Sequence, residues 1–107
     1  FEEMSDVEVP AIGEERTHIF HQYTIRIKNG KRDPLAAYLK ERGIATSIYY
    51  PLPLHLQQAF KHLDYKEGDF PIAEKACKEV ISLPVYPELS REDQDYIIAN
   101  TKESLHV

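Results

Sequence analysis

His18-Ile19-Phe20-His21-Gln22-Tyr23-Thr24-Ile25-Arg26-Ile27-Lys28-Asn29-Gly30 is the stretch on which the fold turns. From position 18 to 28 the residues alternate. Ile19, His21, Tyr23, Ile25 and Ile27 fall on one face, and His18, Gln22, Thr24, Arg26 and Lys28 on the other, with Phe20 the apolar exception there. Period-two alternation rich in β-branched and aromatic residues predicts a half-buried strand. Asn29-Gly30 ends it in a turn. Asp33 is placed to cap a helix whose first position is Pro34, where a missing N–H costs nothing. Leu35, Tyr38 and Leu39 form that helix's buried stripe, and Gly43 supplies a left-handed stop.

Further along, residues 44–50 read as a second strand, and Pro51-Leu52-Pro53 forces a stiff, extended crossing. A short helix is expected over 56–63, followed by a turn through Tyr65-Lys66-Glu67-Gly68. Asp69 is expected to cap the next helix, with Pro71 in its first turn and Ile72, Ala73, Ala76, Cys77 and Val80 buried. Leu83 belongs to a short strand pinned by Pro84 and Pro87. Ser90-Arg91-Glu92-Asp93 opens the last helix as a near capping box, with Asp where Glu or Gln is usual. That helix buries Ile97, Ile98, Thr101 and Leu105. The predicted fold class is α+β: a small sheet of about three strands with helices packed mainly on one face. Strand direction is left open at this point.

In the other direction, Glu2, Glu3, Asp6 and Glu8 alternate with small or apolar residues up to Pro10. With Phe1 in place of a starting methionine, residues 1–17 read either as an extended lead-in from a missing N-terminal domain or as a frayed terminus.

The 107 residues are one domain's worth, 42% hydrophobic and 29% charged, the balance of a globular protein. A net charge of -5 gives no pull toward nucleic acid or anionic membrane, so neither is expected as a partner. No apolar run approaches the roughly 20 residues of a membrane span. One cysteine, Cys77, fits a reducing, cytoplasmic setting.

Five histidines invite a metal reading. His18 and His21, three apart on a predicted strand, point to opposite faces, and His55 and His62 lack further ligands, so no metal is expected. Cys77 lies on an apolar helical stripe, where a thiol behaves as a small hydrophobe. No Ser sits in a Gly-x-Ser-x-Gly elbow, and no Gly-rich loop opens a helix to cradle phosphate. The unusual stretch is Tyr49-Tyr50-Pro51-Leu52-Pro53-Leu54-His55-Leu56-Gln57. A rigid loop carrying two phenols and an imidazole suits presentation of hydrogen-bonding groups to a ligand. It equally suits tyrosines straddling a sheet and a histidine capping a helix.

Five pieces of this sequence resemble the C-terminal region of DegT-type, pyridoxal-phosphate-dependent sugar aminotransferases, in that family's order and spacing. They are His21-Gln22-Tyr23-Thr24-Ile25-Arg26; Arg32-Asp33 before a helix ending Arg42-Gly43-Ile44; the stretch 49–57; Gly68-Asp69-Phe70-Pro71-Ile72-Ala73-Glu74; and Ser82-Leu83-Pro84-Val85-Tyr86-Pro87-Glu88-Leu89. The resemblance implies that residues 18–107 are the small domain of a fold-type-I enzyme that works as a homodimer. Such an enzyme moves an amino group, commonly from glutamate, to a nucleotide-linked keto-sugar. It further implies that the Schiff-base lysine, the acid on the pyridine nitrogen and the phosphate cup lie in the N-terminal domain. The 107 residues alone would then bind no cofactor and be inactive, with no catalytic residue of their own. Tyr49, Tyr50 and His55 become substrate-binding residues on a domain that closes the cleft. His21 and Tyr23 read as core residues, and Arg26 as a solvated arginine able to meet phosphate. The rival reading is a free-standing α+β binding or interaction module without catalysis.

Overall fold

The structure, a computed structural model, describes residues 1–106. Three strands form one antiparallel sheet in the order β1 (Val7–Glu8), β2 (Tyr23–Ile27), β3 (Val80–Leu83). Val7 pairs with Ile27, and Tyr23, Ile25 and Arg26 pair with Leu83, Ile81 and Val80. Alternation sends Ile25, Ile27 and Ile81 to the same face, where all three are fully buried. Against that face lie α1 (Arg32–Glu41), through Leu35 and Leu39, and α3 (Arg91–His106), through Ile97 and Leu105. The remaining helix, α2 (Pro71–Glu79), runs directly into β3.

The expected boundaries shift for physical reasons. The strand read over 18–28 pairs only from Tyr23 to Ile27. Phe20 has a φ of 46°, a left-handed backbone that no strand holds, and Ile19 is 89% exposed. Residues 44–50 form no strand but meet the sheet in a single bridge, Ser47 to Ser82. The third strand comes instead from the segment 1–17. Met4 and Val7 join the core. Asp6 accepts hydrogen bonds from the Asn29 amide (2.7 Å) and the Lys31 ammonium (2.8 Å). A two-residue strand is too short to show periodicity, which is why it was invisible in the sequence.

The turn and cap chemistry is mixed. Asn29 and Gly30 both take positive φ, and the Lys31 N–H donates to the Lys28 carbonyl, the mirror-image turn that Asn-Gly favours. Gly43, at φ 74°, closes α1 as expected: its N–H donates to Lys40 and the Ile44 N–H to Leu39, a Schellman end. Ser90 caps α3 by accepting from the Asp93 N–H at 3.0 Å while its hydroxyl donates to the Asp93 carboxylate at 2.7 Å. Asp33, however, caps nothing; Lys31 holds the N-cap position and Asp33 pairs with Arg32. Asp69 likewise closes its own turn by accepting from the Lys66 N–H, leaving Phe70 at the N-cap of α2. Residues 56–63 wind as two 3₁₀ turns, Leu54–Leu56 and Gln58–Leu63, rather than one helix. Residues 58–63 bury nothing, so no packing rewards a longer helix.

The largest departure is α2. Its apolar stripe faces outward: Ile72 is 82% exposed, Ala73 is exposed, and Ala76 and Cys77 are only half-buried, while Val80, expected to close the stripe, instead begins β3 and is half-buried. The residues it buries are Glu74 and Glu79. Glu79 accepts both Arg26 Nε (3.1 Å) and Nη2 (2.7 Å). Buried Arg32 donates to the carbonyls of Cys77 and Val80, placing a cation at the C-terminal end of α2 where the helix dipole favours one.

Candidate functional site

The stiff stretch 49–57 and the outward stripe of α2 form the two walls of one groove of about 450 Å³. Tyr50, Leu52, Pro53 and His55 lie on one side, and Phe70, Ala73 and Cys77 on the other. Pro53 leads into the turn Leu54–Leu56 in extended conformation, which sets where His55 leaves the backbone. Tyr50 is 68% exposed, its ring meeting Tyr49 edge-on at 5.6 Å. The groove is almost wholly apolar, with the Tyr50 phenol, the His55 imidazole and the Gln57 amide as its polar side chains, the composition of a surface that recognises a ligand or a covering element.

His55 is anchored from behind. Its Nε2 lies 2.9 Å from Glu74 Oε1, and its ring packs on Phe70 at 4.8 Å. The Glu74 carboxylate also accepts from the Gly68 N–H (2.9 and 3.0 Å) and the Phe70 N–H (3.2 Å). Those contacts, the Gly68 N–H first and the His55 ring next, outweigh burial and hold Glu74 below the ordinary glutamate range. One carboxylate thus ties the proline loop, the turn before α2 and α2 itself into a single rigid corner. The signal for it was present in sequence only as the Glu that ends Phe70-Pro71-Ile72-Ala73-Glu74; its inward aim needed the fold.

Tyr49, Tyr50 and His55, the residues expected to bind substrate, do not share one site. Tyr50 and His55 line the same groove, but Tyr49 lines a separate hollow of about 150 Å³ with His21, Gln22, Ser47 and Ser82. His21 is exposed rather than a core residue, because the strand does not reach it. Tyr23 is half-buried against the core. Arg26 is not free for phosphate: Glu79 takes it at 2.7 Å and Glu8 stands at 3.8 Å.

The chain also holds eight lysines. Lys40, Lys61, Lys66, Lys75 and Lys78 are exposed and Lys28, Lys31 and Lys102 half-buried, none in a dry pocket. Among the described residues no three His, Cys, Asp or Glu side chains gather as a metal site. No described helix is long and apolar enough to cross a membrane.

Residues 1–102 match the model of the DegT/DnrJ/EryC1/StrS aminotransferase family. The chain belongs to that family. Over 88 residues it is 60% identical to the pleiotropic regulatory protein of Geobacillus stearothermophilus, covering 82% of this chain and 23% of that one. It is 34% identical to the dTDP-3-amino-3,6-dideoxy-alpha-D-galactopyranose transaminase of Aneurinibacillus thermoaerophilus, covering 86% of this chain and 24% of that one. The crystal structure of NtdA from Bacillus subtilis with bound cofactor PMP superposes with a TM-score of 0.82 at 27% identity, covering 99% of this chain and 24% of that one. The DegT-family fold is that of fold-type-I aminotransferases, and the small antiparallel sheet with its helices fits it. This chain therefore spans about a quarter of the length of the relatives it matches.

Proposed function

We propose that the chain is the C-terminal small domain of a pyridoxal-phosphate-dependent aminotransferase acting on a nucleotide-linked keto-sugar, commonly with glutamate as amino donor. On this reading the domain closes one side of the substrate cleft, and the parent is a cytoplasmic homodimer. The observation that carries the proposal is the outward apolar stripe of α2 beside a rigid loop that presents Tyr50 and lines the groove with a largely buried His55. A helix that buries its glutamates and exposes its isoleucine is built to meet something else, and three-quarters of each relative lies outside the matched region.

The residues present do not fit the cofactor. A Schiff-base lysine needs a desolvated pocket to lower its pKa, and no lysine here has one. The cofactor's lysine and phosphate cup are assigned to the larger N-terminal part, and no chemical step is assigned to this chain. Its contribution is to bind and orient the sugar-nucleotide.

The testing variant is Tyr50→Phe in the full-length enzyme. Its phenol is 68% exposed, so removing one oxygen leaves the fold alone. The half-reaction with the nucleotide-sugar should weaken by one hydrogen bond to a polar ligand, about 1–1.5 kcal/mol, and the donor half-reaction should not change. An unchanged nucleotide-sugar half-reaction, or an equal loss in both, would remove Tyr50 from the site.

A second reading, a regulatory or interaction module without catalysis, is favoured by the name of the 60%-identical relative. It predicts a full-length protein with no transaminase turnover.

A further inference from the structure

The ionised carboxylate of Glu74 is acceptor-only, so the ring nitrogen it meets at 2.9 Å must donate. Its low pKa keeps it ionised over the neutral range. That assigns the proton of a neutral His55 to Nε2 and leaves Nδ1 as a lone pair. Nδ1 has no hydrogen-bond partner among the described residues, and the ring it belongs to, only 7% exposed, lines the groove. The corner behind it is held at three further points, by Gly68 N–H to both carboxylate oxygens and by Phe70 N–H. Phe70 packs against the imidazole at 4.8 Å in a tilted contact, and Tyr65 packs edge-on against Phe70 at 4.9 Å.

We propose that Glu74 is a positioning residue that fixes His55 as the Nε2–H tautomer, so that Nδ1 accepts a hydrogen bond from a hydroxyl of the bound sugar. The proposal rests on the reading of this groove as the sugar-nucleotide side and sharpens it. A lone-pair nitrogen recognises a hydroxyl donor. It has no proton to offer an ionised phosphate oxygen, so the diphosphate must be bound by other groups. Glu74 acts as the carboxylates behind metal-ligating histidines do, where the partner of one ring nitrogen decides what the other can do.

The first test needs no variant: ¹⁵N spectra of the histidines in the 107-residue chain at about pH 8.5, where an ordinary imidazole is neutral. The expected result is a His55 proton on Nε2 and a bare Nδ1. A proton on Nδ1, whether in the other tautomer or in a persisting imidazolium, overturns the proposal. Glu74→Gln keeps an acceptor oxygen toward Nε2 and should keep the tautomer, whereas Glu74→Met should let the two nitrogens average. An unchanged ring in Glu74→Met also overturns it.

In the full-length enzyme, Glu74→Met and His55→Ala should each lower kcat/KM for the nucleotide-sugar by about ten-fold, the worth of one hydrogen bond. The double variant should be no worse than His55→Ala, Glu74→Gln should stay close to wild type, and the donor half-reaction should be unaffected. Additive losses would show that Glu74 acts apart from His55. If His55→Ala and Tyr50→Phe both spare the nucleotide-sugar, the reading of the groove fails while the tautomer result stands, so the two failures are told apart.

Discussion

Replacing both Leu54 and Ile72 by lysine should leave the stability of the isolated chain nearly unchanged while abolishing its tendency to self-associate. Leu54 is 67% exposed and Ile72 82% exposed, on the two elements that flank the groove. Fully burying a Leu or Ile side chain is worth about 1.5–3 kcal/mol. Scaled by those exposures, covering both contributes about 2–4 kcal/mol per copy, so one copy's share alone is worth about 30- to 1,000-fold in an association constant. Nothing comparable is lost on unfolding, because both side chains are already mostly exposed in the folded chain; the expected change in stability is within about 0.5 kcal/mol. Sedimentation velocity across a wide concentration range reads the first quantity and urea unfolding the second. The wild-type chain should grow in apparent size with concentration and unfold in one cooperative step. A double variant with a much lower urea midpoint would refute the reasoning, since it would mean that the stripe packs within this chain. So would a wild-type chain that stays monomeric throughout, since the exposed stripe would then have no appetite for cover.

Two further outcomes follow from individual residues. Ser90→Ala removes the cap of α3 and should cost about 1 kcal/mol in urea unfolding; a cost near zero would mean that the helix end is satisfied by water. Asp6 is held below the usual aspartate range, by Lys31 first and by Asn29 after it, and Glu74 below the glutamate range. Folded-state values below the unfolded ones make stability greatest above about pH 4–5 and lose it as pH falls through the lowered values. Thermal melts should therefore be flat toward neutrality and fall in acid, and Asp6→Asn with Glu74→Gln should flatten that acid limb. An acid limb of the same steepness in the variants would assign the loss to other carboxylates.

Where sequence and structure agree, a short-range rule was sufficient. Asn29-Gly30, Gly43 and Ser90 act through bonds within a few residues of themselves, so their roles could be read without knowing what lies across the fold. Ile25 and Ile27 declared a buried strand face for the same reason. Where the two part, the deciding partner is remote. β1 exists because Val7 finds Ile27, and residues 44–50 fail to make a strand although Ser47 reaches Ser82. Asp33 and Asp69 are good cap residues by type, but Arg32 engages one and the Lys66 turn the other.

The candidate site was half-legible for a related reason. Rigidity and residue type pointed to 49–57, and both are local. The division of its side chains between two hollows is not, because Tyr49 and Tyr50, neighbours in the chain, line different ones. The periodicity of α2 correctly marked an apolar stripe, but a stripe says only that something covers it. Reading that cover as this chain's own core was the natural inference for a complete domain. It fails because the same helix turns Glu74 and Glu79 inward, where each has a specific partner: His55 with two backbone N–H groups for the first, Arg26 for the second. Burying two carboxylates is tolerable only when their bonds are made, and here they are. The orientation of α2 is therefore set by its polar residues, and the apolar stripe is what that choice leaves facing outward.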